Sequence, residues 1–460
     1  MSHDEEKRNL EKDTLEHIRQ AFPKESADVV VKAYDYVVSR LGKQTNECLR
    51  TVQLLLSQQT DHVVVASALL GSLYSHSWPL KPEELQQVFG NTIANLVESL
   101  QRTEVMRTDT EAHRQEDMKA LLVSLRGNIR SVIVRIGLRL AELEHLVKTG
   151  CRNSCQIARE TLDVYVPLAR RMGMGSLREK LEDFSFRLLE PGIYKELAEK
   201  VEPIRAEDQV CLEILVVAVR KVLDRNGFEG TVSGRTKSLY SLYMKMRRLD
   251  ASLEKIMDKI GIRIIVSSVT ECYQVLGLLH THCSPIPGTF DDYIGFPKDN
   301  GYQSLHTCVY PVRDVSHKPV EFQIRTEAMH MEAEFGVAAH WRYKSQEEAY
   351  TEGERQLQWL RSLKIHRDDV ASHTDFLERL RKEVFDDNVV VFTGRGRQVR
   401  LPAGAAVRDF VHRTSQTSLH ELFVRINGEL CPMDHRLRDG DTVEIGLNQS
   451  SSSQERRLDG

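Results

Sequence analysis

Most of the chain falls into two parts that differ in the spacing of their apolar residues. Up to about residue 200, apolar residues recur at intervals of three and four positions, as across 129–136, which is the spacing of one helix face. Beyond it, a short apolar run at 261–266 and a strictly alternating run at 320–325 are typical of strands, with a helical run at 271–282 between them. The pattern therefore predicts an all-α region followed by a mixed α/β region.

A third pattern follows a charged, helix-prone stretch at 346–386, which we interpret as a connector. Two hairpins are predicted, one across 388–402 and one closed by Asn427-Gly428, a pair that favours the type I′ turn. A helix over 406–414 fits between them. This order predicts a small β-grasp domain over 387–447.

Composition bounds the class of protein. The chain has 460 residues, which suits two to four domains, and its 41% apolar and 28% charged residues are those of a globular protein. No apolar run is long enough to span a bilayer, and the charged amino terminus lacks a secretory signal. The eight scattered cysteines suggest free thiols. We expect a cytoplasmic protein without a membrane partner, ending in a disordered polar tail at 448–460.

The stretch 289–306 carries the most specific chemistry. It contains one cation, one amide, one stacking ring and one imidazole, namely Lys298, Asn300, Tyr302 and His306. Proline and glycine breakers between them predict a bend. A purine nucleotide needs such a set, because it presents a flat face, a hydrogen-bonding edge and phosphates. Composition alone favours an exposed polar loop, but two further segments change that balance.

The first of these segments is basic. Lys237, Ser241 and Lys245 recur every four residues, so they are predicted to share one helix face. From Gly234 to Arg263 the chain has eight Lys or Arg against three Asp or Glu, although it is slightly acidic as a whole. Cations and a hydroxyl near a helix start can cradle phosphates, and the alternative is a solvated basic face.

The second segment is the alternating run at 320–325. Its polar positions, Glu321, Gln323 and Arg325, are predicted to share one face of a strand. An acid among basic phosphate-binding segments suggests a magnesium ligand or a proton acceptor. The alternative is the ordinary solvent-facing side of a strand.

Together these segments resemble a known family. The chain has Pro-Lys-x-Asn-Gly-Tyr-x-Ser-Leu-His at 297–306, Glu-x-Gln-Ile-Arg-Thr at 321–326, and a longer Met-His…Ala-Ala-His-Trp motif at 329–344. They resemble the synthetase domain of the RelA/SpoT family, whose members make the alarmones ppGpp and pppGpp. The helical scaffold, including Tyr-Val-Pro-Leu-Ala-Arg-Arg at 165–171, resembles the family's His-Asp (HD) hydrolase domain.

The resemblance implies a multi-domain fold. It predicts an all-α degenerate HD-type hydrolase-like domain at 1–200 and an α/β nucleotidyltransferase-like synthetase domain at 201–345. The helical connector at 346–386 then leads to a β-grasp TGS domain at 387–447. Long relatives continue beyond this point, so the chain is expected to be either a fragment or simpler in its regulation.

The resemblance also implies a reaction and its residues. A GTP diphosphokinase transfers pyrophosphate from ATP to the 3′-hydroxyl of GDP or GTP. The ATP-binding residues would be Arg235, Lys237, Ser241 and Lys245. The residues that bind GDP or GTP would be Lys298, Asn300, Tyr302 and His306. The catalytic acids would be Asp258 and Glu321, which would hold Mg²⁺, with Glu321 also activating the acceptor hydroxyl.

Hydrolase chemistry is expected to be absent. Hydrolase-competent relatives hold manganese with a His, a His-Asp pair and a distant Asp, and those positions fall on Glu47, Gly71-Ser72 and Leu138. Because only Glu47 could be a ligand, this set cannot hold a divalent ion tightly. The acidic Asp291-Asp292 agrees with the synthetase-only form of the family, although Thr289 departs from it.

Other partners and other functions remain open from the sequence. In relatives the TGS domain touches the acceptor end of uncharged tRNA on the ribosome, and His420 lies where the family has a contacting histidine. One alternative is a catalytically silent regulator that binds nucleotide or tRNA, against which the acids Asp258 and Glu321 argue. Another is a pyrophosphokinase with a different acceptor, against which the guanine-type ring Tyr302 argues. The oligomeric state cannot be predicted.

Overall fold

We analysed a computed structural model of the chain. It describes residues 3–42, 46–75, 81–104, 129–150, 153–250, 252–253, 260–298, 300–310, 319–336, 388–394, 397–402, 404–414, 422–438 and 440–447. They form two compact units, one within residues 1–365 and one within 366–460. The predicted connector, the tail, Asp258, His420 and the end of the third family motif lie outside the described residues.

The described part of the first 225 residues is helical, as predicted. The helices are α1 (His3–Ala21), α2 (Lys24–Leu41), α3 (Asn46–Ser57), α4 (His62–Ser75), α5 (Pro82–Phe89), α6 (Asn91–Glu104), α7 (Ile129–Thr149), α8 (Ser154–Glu160), α9 (Val166–Arg171), α10 (Gly175–Leu189) and α11 (Pro191–Arg225), with a π-helical turn at Thr161–Tyr165. None of the helices that the structure describes is long and apolar enough to cross a membrane. The predicted domain boundary at residue 200 falls inside α11.

A mixed sheet follows the helices. Its strands are β1 (Gly230–Thr236), β2 (Ile260–Val266), β3 (Ser284–Pro285), β4 (Asp291–Asp292), β5 (Leu305–Tyr310) and β6 (Val320–Thr326), interleaved with α12 (Leu239–Leu249), α13 (Val269–His282) and α14 (Glu327–Phe335). The strand order is β1-β2-β6-β5-β3, with β4 paired to β5. Only β2 and β6 run parallel, so the sheet is the mixed one that the sequence predicts.

The two faces of this sheet differ in polarity. One face presents buried apolar side chains such as Ile264, Phe322 and Leu305, which pack against Leu215 of α11 and Val275 of α13. Burial of such side chains contributes about 1.5–3 kcal/mol each. Because side chains alternate along a strand, the other face receives the polar residues, and this face carries the candidate site.

The second unit confirms the predicted β-grasp pattern. Its elements are β7 (Asn388–Thr393), β8 (Gln398–Pro402), α15 (Val407–Thr414), β9 (Leu422–Ile426), β10 (Glu429–Cys431) and β11 (Thr442–Leu447), with strand order β10-β9-β11-β7-β8. Asn427 and Gly428 both have positive φ, 52° and 88°, as a type I′ turn requires. Phe410 of the helix lies in the core beneath the sheet.

Candidate active site

Strand register brings three of the sequence-predicted segments together on the polar face. Arg235 of β1 pairs with Gly261 of β2, and Gly261 pairs with Glu321 of β6, so they form one row across the sheet. In a neighbouring row His306 of β5 pairs with Gln323 of β6. Residues that are paired across strands point to the same face. Arg235, His306 and Glu321, one residue from each of the candidate ATP-binding, acceptor-binding and acidic sets, therefore share one face of the sheet.

Three of these side chains form a continuous polar chain. The Tyr302 hydroxyl lies 2.8 Å from Nε2 of His306, and Nδ1 of His306 lies 3.5 Å from Oε1 of Glu321. Gln323 donates to Oε2 of Glu321 at 3.0 Å. Burial raises the pKa of Tyr302, so its phenol stays protonated. The arrangement places the Glu321 carboxylate between the Gln323 amide and the His306 ring.

The turn before β5 is fixed by its own polar groups, as the predicted bend requires. Lys298 and Tyr302 are joined by a backbone hydrogen bond of 3.1 Å, and Gly301 has a φ of 78°, which favours glycine. The Asn300 side-chain oxygen accepts the Tyr302 N–H at 3.2 Å. Asn300, one of the four predicted acceptor-binding residues, therefore also stabilises the turn that carries Lys298 and Tyr302.

Asp292, the second residue of the acidic pair Asp291-Asp292, has a structural role that the sequence did not indicate. The Asp292 carboxylate accepts the backbone N–H groups of Ile294 and Gly295 at 3.0 and 2.8 Å. The hydroxyl of Tyr273, on α13, also donates to Asp292 at 2.9 Å. Asp292 therefore caps a turn, whereas Asp291 is exposed.

The end of β6 is more buried than a solvent-facing strand side would be, so that alternative interpretation is wrong. Gln323 and Arg325 are only 8% and 1% exposed. Arg325 and Arg263 both bind Oε1 of Glu334, on α14, at 3.2 and 2.7 Å. Burial alone would raise the pKa of Glu334, but the two guanidinium groups outweigh it and hold that pKa below its ordinary value. Burial, together with Arg325, lowers the pKa of His330 to about 4.

The basic segment differs in detail from its prediction. Helix α12 begins at Leu239, with Ser238 as its N-cap, so Ser241 and Lys245 lie on the helix but Lys237 precedes it. Four-residue spacing therefore misplaced Lys237 on a shared helix face. The Ser238 hydroxyl accepts the Ser241 N–H and donates to the Ser241 hydroxyl at 3.0 Å. The cap keeps the helix start, a favourable place for phosphate, close to these side chains.

Helices from the amino-terminal region support the same segment. The Tyr240 N–H donates to the Asp183 carboxylate of α10 at 2.9 Å, and Arg205 of α11 donates to the Lys237 carbonyl at 3.0 Å. Burial raises the pKa of Asp183. Elements that precede the sheet in the chain thus hold the candidate ATP-binding segment.

Residues of α9 and α10 also reach the candidate nucleotide-binding side chains. Asn300 donates to the Arg170 carbonyl at 3.1 Å, and Arg235 forms an ion pair with Glu179. A cavity of about 110 Å³ lies here; its polar lining residues include Arg170, Arg178, Glu179, Arg235, Asn300, Tyr302, Arg325 and Glu334. Sequence reasoning missed the first three residues, because no local pattern links positions so far apart in the chain.

The four positions that carry manganese in hydrolase-competent relatives fall in the helical region. A Cβ added to Gly71 would lie 2.9 Å from Leu100 Cδ1 and 4.0 Å from Leu138 Cδ1, so Gly71 and Leu138 are neighbours. The Ser72 hydroxyl donates to the Leu69 carbonyl at 2.6 Å and lies 3.1 Å from the Cys48 thiol. Leucine side chains of α6 and α7 therefore pack against α4 at Gly71.

The described residues contain no group of three or more His, Cys, Asp or Glu side chains that could hold a metal ion. Neither Asp258 nor the side chain of Glu47 is among them. Glu321 has the oxygen chemistry that Mg²⁺ prefers and remains 18% exposed, so it fits one position of a magnesium site.

Comparisons with known proteins agree with this architecture. Residues 234–348 match the model of the region found in RelA/SpoT proteins, residues 40–175 match the HD domain, and residues 389–446 match the TGS domain. The last match coincides with the β-grasp unit. The first contains the strands β2, β5 and β6 and every candidate catalytic and nucleotide-binding residue.

Curated relatives extend the similarity over most of the chain. It is 36% identical to a probable guanosine-3′,5′-bis(diphosphate) 3′-pyrophosphohydrolase of Synechocystis, over 85% of this chain and 52% of the relative. It is 32% identical to a GTP pyrophosphokinase of Myxococcus xanthus, over 93% and 58%. It is 34% identical to the bifunctional (p)ppGpp synthase/hydrolase SpoT of Escherichia coli, over 85% and 56%. The chain thus spans little more than half of each relative, and it belongs to the RelA/SpoT family.

Proposed function

We propose that the chain is a GTP diphosphokinase that transfers the pyrophosphoryl group of ATP to the 3′-hydroxyl of GDP or GTP. The observation that carries the proposal is the shared face of the sheet, on which Tyr302, His306 and Glu321 form one polar chain. Arg235 lies in the same strand row as Glu321. A relative named GTP pyrophosphokinase supports the same reaction.

The reaction needs two polyanions side by side and a group that accepts a proton. A bond forms between the acceptor 3′-oxygen and the β-phosphorus of ATP, the bond from that phosphorus to the α,β-bridging oxygen breaks, and AMP leaves. The 3′-hydroxyl proton passes to the Glu321 carboxylate. Positioned general bases of this kind contribute about 10²–10⁴-fold to a rate.

The remaining polar residues bind and orient the substrates. Lys237, Ser241 and Lys245, with Arg235, would contact the ATP phosphates near the start of α12. Tyr302 would stack on the guanine base, and Lys298, Asn300 and His306 would contact the acceptor nucleotide. Holding both reactants in one geometry supplies much of the acceleration in phosphoryl transfer.

Magnesium is the proposed cofactor, with Glu321 and Asp258 as its protein ligands. When bound, Mg²⁺ would neutralise charge on the ATP phosphates. Glu321 suits this role because its carboxylate lies on the polar face and keeps part of its surface open to solvent.

Alarmone hydrolysis is proposed to be absent. The support is the packing around Gly71, Ser72 and Leu138, which offers a hydroxyl, a thiol and leucine side chains where relatives place ligands for manganese. Hard divalent ions prefer carboxylate and imidazole ligands to these groups. Because two relatives have hydrolase activity in their names, the test is incubation of labelled ppGpp with the chain and Mn²⁺, and release of pyrophosphate would contradict the proposal.

The TGS match supports a further proposal, that uncharged tRNA, on the ribosome, is a partner through the second unit. Fluorescence anisotropy of labelled tRNA with the full chain tests it. We expect uncharged tRNA to bind more tightly than aminoacylated tRNA, and equal affinity for the two would contradict the proposal.

Synthesis itself is tested with ATP labelled at the γ-phosphate, Mg²⁺, and either GDP or GTP, with products separated by thin-layer chromatography. We expect labelled ppGpp or pppGpp from the wild-type chain and none from Glu321→Gln. No labelled guanosine product with either acceptor would favour a silent nucleotide-binding regulator. Label transferred only to some other acceptor would favour the remaining alternative.

A further inference from the structure

One aromatic residue at the acceptor turn has no role in the proposed function so far. Tyr293 follows β4 directly, and its N–H donates to the Ser304 carbonyl at 3.0 Å. The preceding residue, Asp292, caps the turn and is tied to Tyr273 on α13. The backbone of Tyr293 is therefore held from both sides, so its ring has a defined place.

That ring contacts three of the four predicted acceptor-binding side chains. Its centroid lies 5.2 Å from the His306 ring, with the planes at 88°, and 6.1 Å from the Tyr302 ring, with the planes at 64°. The Lys298 ammonium lies 4.2 Å from the centroid of Tyr293 and 5.8 Å from that of Tyr302. Tyr293 is thus the nearer of the two aromatic faces to this cation.

These contacts suit a residue that sets the geometry of its neighbours. Lys298 is exposed, and a long exposed side chain loses substantial conformational freedom when it is held in one position for a ligand. A ring face attracts the ammonium but covers only one side of it, which leaves room for a phosphate on the other. Neither the perpendicular packing of Tyr293 on His306 nor its tilted contact with Tyr302 is a parallel stack.

We propose that Tyr293 is a positioning residue of the acceptor subsite, which holds Lys298 over its ring and braces His306 and Tyr302 for a guanosine nucleotide. This inference rests on the proposed function. It predicts that the aromatic face matters and that the hydroxyl does not. It also predicts that the effect is confined to the acceptor, because the ring contacts described above all join it to candidate acceptor-binding side chains.

The test compares Tyr293→Leu, Tyr293→Phe and the control Tyr310→Leu, an exposed tyrosine at the end of β5. For Tyr293→Leu we expect KM for GDP to rise about fivefold, with KM for ATP within about twofold of wild type, since a cation–π contact of an exposed lysine is worth up to about that factor. Tyr293→Phe and Tyr310→Leu should resemble wild type. Equal rises in both KM values, or a loss in Tyr293→Phe as large as in Tyr293→Leu, would overturn the proposal.

A second comparison keeps the test independent of folding and of turnover. Binding of GDP is measured by calorimetry, and Tyr293→Met replaces Tyr293→Leu if that variant does not fold. In a Lys298→Met background, removing the ring should reduce GDP affinity by a smaller factor than in the wild-type chain, since the cation is gone. An equal reduction of GDP affinity in both backgrounds would contradict the role of Lys298. If the wild-type chain binds GDP but makes no product, the proposed function fails, whereas equal GDP affinity with and without the ring overturns the role of Tyr293.

Discussion

Two regions of the first unit, the surroundings of Gly71 and the polar face of the sheet, differ in the side chains that fill them. Gly71 of α4 packs against the side chains of Leu100 of α6 and Leu138 of α7. On the polar face of the sheet, by contrast, the Tyr302 hydroxyl is hydrogen bonded to His306, and His306 in turn lies 3.5 Å from the Glu321 carboxylate.

The difference is one between apolar packing and a polar network. Apolar packing is satisfied by many side chains of suitable size, so a helical core can keep its fold whether or not it carries metal ligands. A buried polar network tolerates no such exchange, because each lost partner leaves another group unsatisfied. An intact network is therefore stronger support for activity than an intact fold, and the following variants probe that contrast.

The largest effect is expected at the acid of the sheet face. Glu321→Gln keeps the shape of the side chain but cannot accept a proton, so kcat for synthesis should fall about 10³-fold, within the range for loss of a general base. Calorimetry should show that ATP still binds. Glu327→Gln, an exposed residue at the start of α14, is the matched control and should be unaffected. Turnover of Glu321→Gln near the wild-type rate would refute the assignment.

The partly buried carboxylate of Glu334 should matter next. Glu334→Gln leaves Arg263 and Arg325 without their shared partner, which should cost about 3 kcal/mol of unfolding free energy at pH 7. The folded-state pKa of Glu334 is lowered, so its contribution is present above the ordinary glutamate pKa of about 4.3 and is lost as pH falls through the folded value.

Urea unfolding from pH 7 to pH 4 measures this dependence. The gap in unfolding free energy between wild type and Glu334→Gln should be constant near neutrality and narrow at the acid end of the range. Glu327→Gln again serves as the control. A gap that widens on acidification would contradict the lowered pKa.

A matched pair of serines compares the two regions directly. Ser72 is buried beside Cys48 of α3, and Ser304 is buried just before β5, where its hydroxyl donates to the Ile324 carbonyl at 3.2 Å. Each Ser→Ala change should cost about 1 kcal/mol of stability or less. Only Ser304→Ala should also raise KM for GDP, by a few fold, because Ser304 lies between Tyr302 and His306. If Ser72→Ala raised KM for GDP as much as Ser304→Ala, the contrast between the two regions would be contradicted.

The smallest effect is expected at the ion pair between helix α10 and strand β1. Glu179 of α10 pairs with Arg235, and the pair is partly exposed, so it is worth less than about 1 kcal/mol. Because the carboxylate competes with the ATP phosphates for the guanidinium, Glu179→Gln should lower KM for ATP by about two- to fivefold. Glu199→Gln, on the exposed face of α11, is the control. A raised KM for ATP would show that Glu179 instead supports binding.

Sequence patterns predicted the elements well wherever a periodicity was long or a turn was specific. The strand at 320–326, the helix at 269–282 and the Asn427-Gly428 hairpin all form within a few residues of their predicted bounds. Motif positions also predicted that Tyr302, His306 and Glu321 belong to one site, and the structure brings these three side chains together.

What the sequence could not predict depends on contacts between distant positions. Asn300 and Arg170 are 130 residues apart, and Arg235 and Glu179 are 56 apart, so no local pattern could link them. Burial of Arg325 was missed because alternation predicts which residues share a face, but not whether a later helix covers it. Lys237 was misplaced because the four-residue spacing continued past the true N-cap of α12.

The central claim is that one chain keeps the synthetic face and has lost the hydrolytic one, and a single pulse and chase tests it. Labelled ppGpp or pppGpp is made from ATP, Mg²⁺ and GDP or GTP, excess unlabelled ATP is added, and Mn²⁺ follows. The account predicts that product forms and then persists through the manganese chase. Loss of the label as free pyrophosphate during the chase would contradict it, because it would mean that the packed positions around Gly71, Ser72 and Leu138 still support hydrolysis.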